Sequence, residues 1–135
     1  MRIVLDTNII IAAFLSHGLT SDVLELGEQE DIEVFSSEEI LEETKTRLVN
    51  KLRLEESYVE NFINLTRKSL KLVNPIQKID VVKSDPDDNK ILECAVSAEA
   101  NLIVTMDKHL LKFMTYEKIG IVHPKTLTWI LPKLL

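Results

Sequence analysis

Short apolar runs rich in β-branched residues, which are typical of buried strands, alternate along this chain with longer segments of helical periodicity. Strands are predicted at residues 2–5, 32–35, 72–73, 102–104 and 120–122. Between them, apolar residues recur three and four positions apart, the spacing of a helix with one buried face. Helices are predicted at residues 9–15, 20–28, 36–50, 56–70, 85–99, 107–113 and 124–130. This alternation predicts an α/β fold with a parallel sheet covered by helices.

Three of the predicted helices begin with a capping sequence. Ser36, followed three residues later by Glu39, forms a capping box, and Ser57 repeats the pattern. Asp85 precedes a proline and is predicted as the N-cap of a helix that starts with that proline. The two helices begun by the serines are expected to pack as an antiparallel hairpin. In the first of them the predicted buried stripe is Ile40, Leu41, Thr44, Leu48 and Leu52.

Size and composition predict one globular domain over residues 1–135. The chain is 45% apolar with a mean hydropathy near zero, as in ordinary soluble proteins. No apolar run approaches the ~20 residues that cross a bilayer, and the opening residues do not resemble a signal peptide. The single cysteine, Cys94, excludes an internal disulfide and lies in a helical pattern. These features favour a cytoplasmic protein with Cys94 in its core.

Charge is unevenly distributed along the chain. The net charge of −6 is unfavourable for binding nucleic acid unless basic residues are grouped. Basic residues do concentrate in residues 45–71, which hold Lys45, Arg47, Lys51, Arg53, Arg67, Lys68 and Lys71. Such a run is most often only a solvated helix face. A basic rim beside an acidic pocket is the alternative.

Four acids fall where a predicted strand ends or where the following helix begins: Asp6, Glu43, Asp88 and Asp107. In a parallel sheet the carboxyl ends of the strands form one edge, where ligand sites lie. Carboxylates that converge there repel each other unless cations hold them. The pattern therefore predicts a site for Mg²⁺ or Mn²⁺ and chemistry on phosphate esters.

Each acid also has a purely structural interpretation. Asp6 and Asp107 can cap helices, and Asp88 can stabilise the first turn of one. Glu43 can form a salt bridge with Arg47 one turn later, or point inward as a ligand. Asp85 and Asp87 are expected to cap the helix or to assist the site. Four separate caps on one sheet edge are less economical than one shared site.

Other chemistries fit the sequence less well. There are three glycines and no glycine-rich phosphate loop. His17, His109 and His123 are too scattered for a zinc site. The stretch from Asp85 resembles the start of an EF-hand loop, but a lysine stands where that loop needs glycine.

Four motifs together resemble the PIN-domain family of small α/β nucleases: VLDTN, SEEILEE, DPDDNKILECA and IVTMD. They occur in the family's order over nearly the whole chain. The resemblance implies a three-layer αβα fold with a central parallel sheet, and a metal-dependent endoribonuclease that is the toxin of a toxin–antitoxin pair. It implies Asp6, Glu43, Asp88 and Asp107 as catalytic ligands of Mg²⁺ or Mn²⁺, with Thr7, Asn8, Asp85 and Thr105 supporting. One departure is His109, which stands where close relatives often have another acid.

The expected partners are RNA, an antitoxin protein and a second copy of the chain. Residues 7–15 and 56–70 carry more apolar surface than a small sheet can easily cover, which favours a homodimer. The basic residues of 45–71 are expected to guide RNA to the acidic pocket. The main alternative is a catalytically silent PIN-like module that binds RNA or protein. A phosphatase with Asp6 as nucleophile would want an acid at position 8, where the chain has Asn8.

Overall fold

The computed structural model describes residues 1–16, 23, 25, 29, 31–83 and 85–130. Apart from residues 23 and 25, the helix predicted over residues 20–28 lies outside the described residues. Six strands form one sheet: β1 (Arg2–Leu5), β2 (Glu33–Ser36), β3 (Lys71–Leu72), β4 (Leu102–Val104), β5 (Thr115–Tyr116) and β6 (Ile119–Val122). Their order across the sheet is β3-β2-β1-β4-β6-β5. The predicted strands are therefore present, with bounds that shift by one residue at most.

All neighbouring strands are parallel except β5 and β6. Strand β1 lies at the centre, where Ile3 is paired with Val34 on one side and Leu102 on the other. Successive residues of a strand point to opposite faces, and both Ile3 and Val4 are completely buried. Both faces of the sheet are therefore covered, which confirms the predicted αβα fold with a mainly parallel central sheet.

The helices are α1 (Thr7–Leu15), α2 (Glu38–Thr46), α3 (Glu56–Ser69), α4 (Asp88–Ser97), α5 (Lys108–Leu111) and α6 (Pro124–Ile130). None of them is long and apolar enough to cross a membrane, as far as the described part of the chain goes. A π-helical turn, Arg47–Lys51, continues α2. Ion pairs join Lys45 to Glu60 and Arg67 to Glu38, so the start of one helix lies beside the end of the other. This confirms the predicted antiparallel hairpin of α2 and α3.

Two predicted capping boxes are wrong in detail. Ser36 is the last residue of β2, and Ser37 caps α2 by accepting a hydrogen bond from the Ile40 N–H. Helix α3 follows Glu55, to which the Ser57 hydroxyl donates a hydrogen bond. Where two serines are adjacent, or a glutamate lies near a serine, more than one residue can match the capping pattern. Sequence spacing alone therefore does not select the capping residue.

The predicted buried stripe of α2 ends one turn early. Ile40, Leu41, Thr44 and Leu48 are buried, but Leu52 is 45% exposed. The Leu52 N–H binds the Arg47 carbonyl five residues back, so the π-helical turn contains an additional residue. That residue rotates Leu52 off the buried face.

Candidate metal centre

Three carboxylates lie together at the carboxyl edge of β4. Asp85, Asp88 and Asp107 each have a side-chain oxygen within 4.8 Å of one from each of the other two. Asp88 is the first residue of α4, Asp85 stands one turn before it, and Asp107 caps α5 after β4 ends. The site is thus assembled from the starts of two helices on neighbouring parts of the sheet edge.

Asp88 is the most deeply buried of the three acids, with 5% of its surface exposed. Its Oδ2 atom has no hydrogen-bond partner among the described residues. Burial, followed by the charges of Asp107, Asp6, Asp85 and Glu43, raises the pKa of Asp88 to about 7. A buried carboxylate oxygen without a partner is costly, so this position fits a bound cation.

Asp6 stands next to this group at the end of β1 and is 4% exposed. The Thr105 hydroxyl donates a hydrogen bond of 2.6 Å to its Oδ2. Burial raises the pKa of Asp6, the hydrogen bond from Thr105 opposes the rise, and the charge of Asp107 adds to it. The Thr105 hydroxyl also accepts a hydrogen bond from the Asp107 N–H at 2.9 Å. Thr105 therefore connects Asp6 to the three-acid group.

Asp107 combines two roles. Its Oδ1 accepts hydrogen bonds from the N–H groups of His109 and Leu110, at 2.7 and 3.4 Å, and so caps α5. The capping interpretation of this residue is correct. Both hydrogen bonds use one oxygen, so capping leaves the Oδ2 atom of Asp107 for another ligand.

Glu43 is not brought into the three-acid group. Its Oε1 pairs with Arg47 at 2.8 Å, and its Oε2 accepts a hydrogen bond from Thr7 at 3.2 Å. Arg47 also donates to the Asn8 side chain at 2.9 Å. The salt-bridge interpretation of Glu43 is the one that the structure contains. The charge of Glu43 nevertheless contributes to the raised pKa of Asp88, after burial and the charges of the nearer acids.

Asp85 has a larger place in the site than its sequence position suggested. Helix α4 begins at Asp88, two residues after the predicted first helical residue, because residues 85–88 form a turn in which the Asp88 N–H binds the Asp85 carbonyl. The prediction of Asp85 as the N-cap is therefore wrong, since Asp87 holds that position. The Asp85 side chain accepts a hydrogen bond from the Asp87 N–H at 3.2 Å. A three-residue turn places Asp85 and Asp88 side by side. The three-residue separation was the signal in the sequence that could have found this pair.

A cavity of about 760 Å³ opens beside Glu43, between α2 and the start of α4. It is lined by Glu38, Glu39, Glu42, Glu43, Thr46, Arg47, Lys51, Asp87 and Lys90. Its walls are mainly acidic, and Asp87 and Lys90 connect it to the turn that carries Asp88. The cavity therefore adjoins Glu43 and the turn before α4, but Asp85, Asp88 and Asp107 do not line it.

The basic rim that was the alternative interpretation of residues 45–71 is partly neutralised. Four of the seven basic residues in 45–71 form ion pairs or charged hydrogen bonds with acids: Lys45, Arg47, Arg67 and Lys71. Each pairing removes a positive charge that was expected to attract phosphate. The basic residues of this segment mainly hold the α2–α3 hairpin and Glu43 in place.

The sequence profile of the PIN domain matches residues 2–109. The chain belongs to the PIN-domain family. Its fold is similar to that in the crystal structure of VapBC2 from Rickettsia felis bound to a DNA fragment from their promoter, with a TM-score of 0.66. The two chains are 16% identical, and the match covers 91% of this chain and 98% of the other. None of the curated proteins matches this chain.

Proposed function

We propose that this PIN-domain chain is a single-domain, metal-dependent endoribonuclease that hydrolyses phosphodiester bonds of RNA. The observation that carries the proposal is the buried Asp88 carboxylate, which has an unpartnered Oδ2 atom and lies within 4.8 Å of two other carboxylates. PIN domains are generally nucleases, so family membership supports the same chemistry.

The donor set fits a hard divalent cation. Mg²⁺ and Mn²⁺ prefer carboxylate oxygens and water, and Asp85, Asp88 and Asp107 would hold the ion. We assign Asp6 and Glu43 to the outer part of the same site, where their charges act on Asp88. Glu43 would have to leave Arg47 in order to bind an ion directly.

A divalent cation bound here would lower the pKa of a water and offset charge on the phosphate. The residues of the chain would fix the geometry around it. Thr105 orients Asp6, and the N–H groups at the start of α5 orient Asp107. The Arg47 guanidinium group donates hydrogen bonds to Glu43 and Asn8 and so keeps both side chains in place. The hydrolysis therefore needs no side-chain nucleophile.

We also propose that the chain is the cytoplasmic toxin of a toxin–antitoxin pair and that it forms a homodimer. The similar structure is a VapBC complex, which supports an antitoxin partner. Large exposed apolar side chains occur at Leu15 on α1 and at Tyr58 and Leu65 on α3. Tyr58 packs edge-on against Phe14, so the two helices form one continuous apolar surface that suits a protein partner.

The test is cleavage of single-stranded RNA with and without Mg²⁺ or Mn²⁺, comparing the wild type with Asp88→Asn. We expect cation-dependent cleavage that falls at least ~100-fold in the variant, because a lost ligand costs more than a lost supporting contact. Asp31→Asn is the matched control, since it removes one exposed acid just before β2, at the other end of the strands. RNA binding without cleavage in the wild type would instead favour the silent module.

A further inference from the structure

A second groove, of about 530 Å³, lies between residues 81–83 and the end of α5. It is lined by Val81, Val82, Lys83, His109, Lys112 and Phe113. Its volume is within the ~300–1,000 Å³ range of pockets that hold small ligands. Unlike the cavity beside Glu43, this groove has no acidic residue in its lining.

Both walls of the groove are fixed to the acidic site. On one side, the Asn89 side chain accepts hydrogen bonds from the N–H groups of Val81 and Val82, at 3.1 and 2.9 Å, and donates one to the Val82 carbonyl. Asn89 follows Asp88 directly. On the other side, the His109 N–H binds the Asp107 carboxylate at 2.7 Å. The groove is therefore held beside the three-acid group on both of its walls.

The lining of the groove combines positive charge with an aromatic surface. Lys112 forms no salt bridge with any residue in the described ranges, whereas Lys83 pairs with Asp80 at 2.7 Å. Phe113 follows Lys112 and is 38% exposed. A groove that combines positive charge with an exposed aromatic ring is typical of single-stranded nucleic-acid binding, since a cationic side chain contacts phosphate and the ring stacks on a base.

From these contacts we infer that the groove binds a nucleotide of single-stranded RNA next to the cleaved bond, with a base against Phe113 and a phosphate against Lys112. This inference rests on the proposed nuclease function. It moves RNA recognition from the basic residues of 45–71, most of which are paired with acids, to the His109–Phe113 segment. It also gives His109 a place in the wall of the RNA groove.

The test is binding of a short fluorescein-labelled oligoadenylate, measured by fluorescence anisotropy at several salt concentrations. All variants carry Asp88→Asn so that the RNA is not cut during the titration. Lys112→Gln should weaken binding and reduce the slope of log affinity against log salt by about 0.7, as expected for one lost phosphate contact on a single strand. Phe113→Ala should weaken binding about 5- to 100-fold, the range for one lost base stack. Phe113→Leu keeps the apolar bulk and should also weaken binding, which separates stacking from folding.

Two controls match these changes. Lys118→Gln removes the same charge from the turn between β5 and β6, which lines a different cavity together with Glu99 and Glu117. Trp129→Leu removes an exposed ring from α6, to which no binding role is assigned. Equal affinity and equal salt slope for Lys112→Gln and Lys118→Gln would overturn the RNA groove, as would unchanged binding by Phe113→Leu. The nuclease proposal is judged separately, by cation-dependent cleavage in the wild type.

Discussion

The acidic group should destabilise the metal-free protein, and Asp88→Asn should therefore be more stable than the wild type. Asn has nearly the shape of Asp and no charge. The rise of the Asp88 pKa from 3.8 to about 7 corresponds to about 4 kcal/mol by which the fold disfavours the charged form. Because the amide must still find partners in the same buried place, we expect a net gain of about 2–4 kcal/mol above pH 7. For a protein of this size that is a rise in Tm of about 5–15 °C.

The gain should depend on pH with a definite sign. Asp88 has a folded-state pKa above its unfolded value, so its favourable contribution is present near pH 4 and is lost as the pH rises through about 7. The Tm difference between Asp88→Asn and the wild type should therefore be small near pH 4 and full at pH 8, measured in a chelator. Asp31→Asn should show no such trend.

Divalent cation should remove most of the stability difference between the two proteins. At 100 times its Kd, a bound ion adds about 3 kcal/mol to the wild type, and the variant should gain less because it lacks a ligand. Thermal unfolding with and without Mg²⁺ or Mn²⁺ measures both effects in one experiment. A variant that is no more stable than the wild type at pH 8 in chelator would refute the electrostatic account of the acidic group.

Three further predictions follow from other contacts. Thr105→Val should lower the free energy of unfolding by about 1–3 kcal/mol and slow cleavage, because it removes the hydrogen bonds to Asp6 and Asp107. Thr105→Ser keeps the hydroxyl group and should restore stability and cleavage, as measured by denaturant titration and by the cleavage assay. Cys94 is buried, which raises the pKa of its thiol to about 12, so a thiol reagent should label it in urea and not in the native protein. Light scattering should give twice the chain mass of 15.4 kDa, and Leu65→Lys should shift the mass toward one chain; a wild-type monomer would contradict the proposed dimer.

The sheet was largely predictable from the sequence because its central strands are continuous β-branched runs buried on both faces. Strand β5 was not predicted. It has two residues, and the turns on either side place Met114 and Glu117 at positive φ without a glycine to mark them. The turn signal on which sequence analysis relies is therefore missing at this hairpin.

The candidate acids were predicted from their positions at strand ends and helix starts, but their contacts were not predictable. Helical periodicity placed Glu43 on the flank of the buried face and left both Arg47 and the metal site within its reach. The structure contains the Arg47 pair. Asp85, which was predicted only to cap a helix or to assist the site, lies inside the three-acid group, because a turn that precedes α4 brings it beside Asp88. Both differences arise from rotamers and turns, which have no periodic signature.

Helix capping, the purely structural interpretation of these acids, predicts hydrogen bonds that only some of the acids form. If each were only a helix cap, each carboxylate should accept N–H groups from the first turn of a helix. Asp107 does so, whereas Asp6 makes no capping bond and Asp88 has an oxygen without any partner among the described residues. Capping therefore accounts for one oxygen of Asp107 and leaves the buried Asp88 carboxylate unexplained. The proposed cation, shared with Asp85 and Asp107, would account for the burial and the missing partner of Asp88, and it would offset the burial and acidic charges that raise the pKa of Asp88 in the metal-free protein.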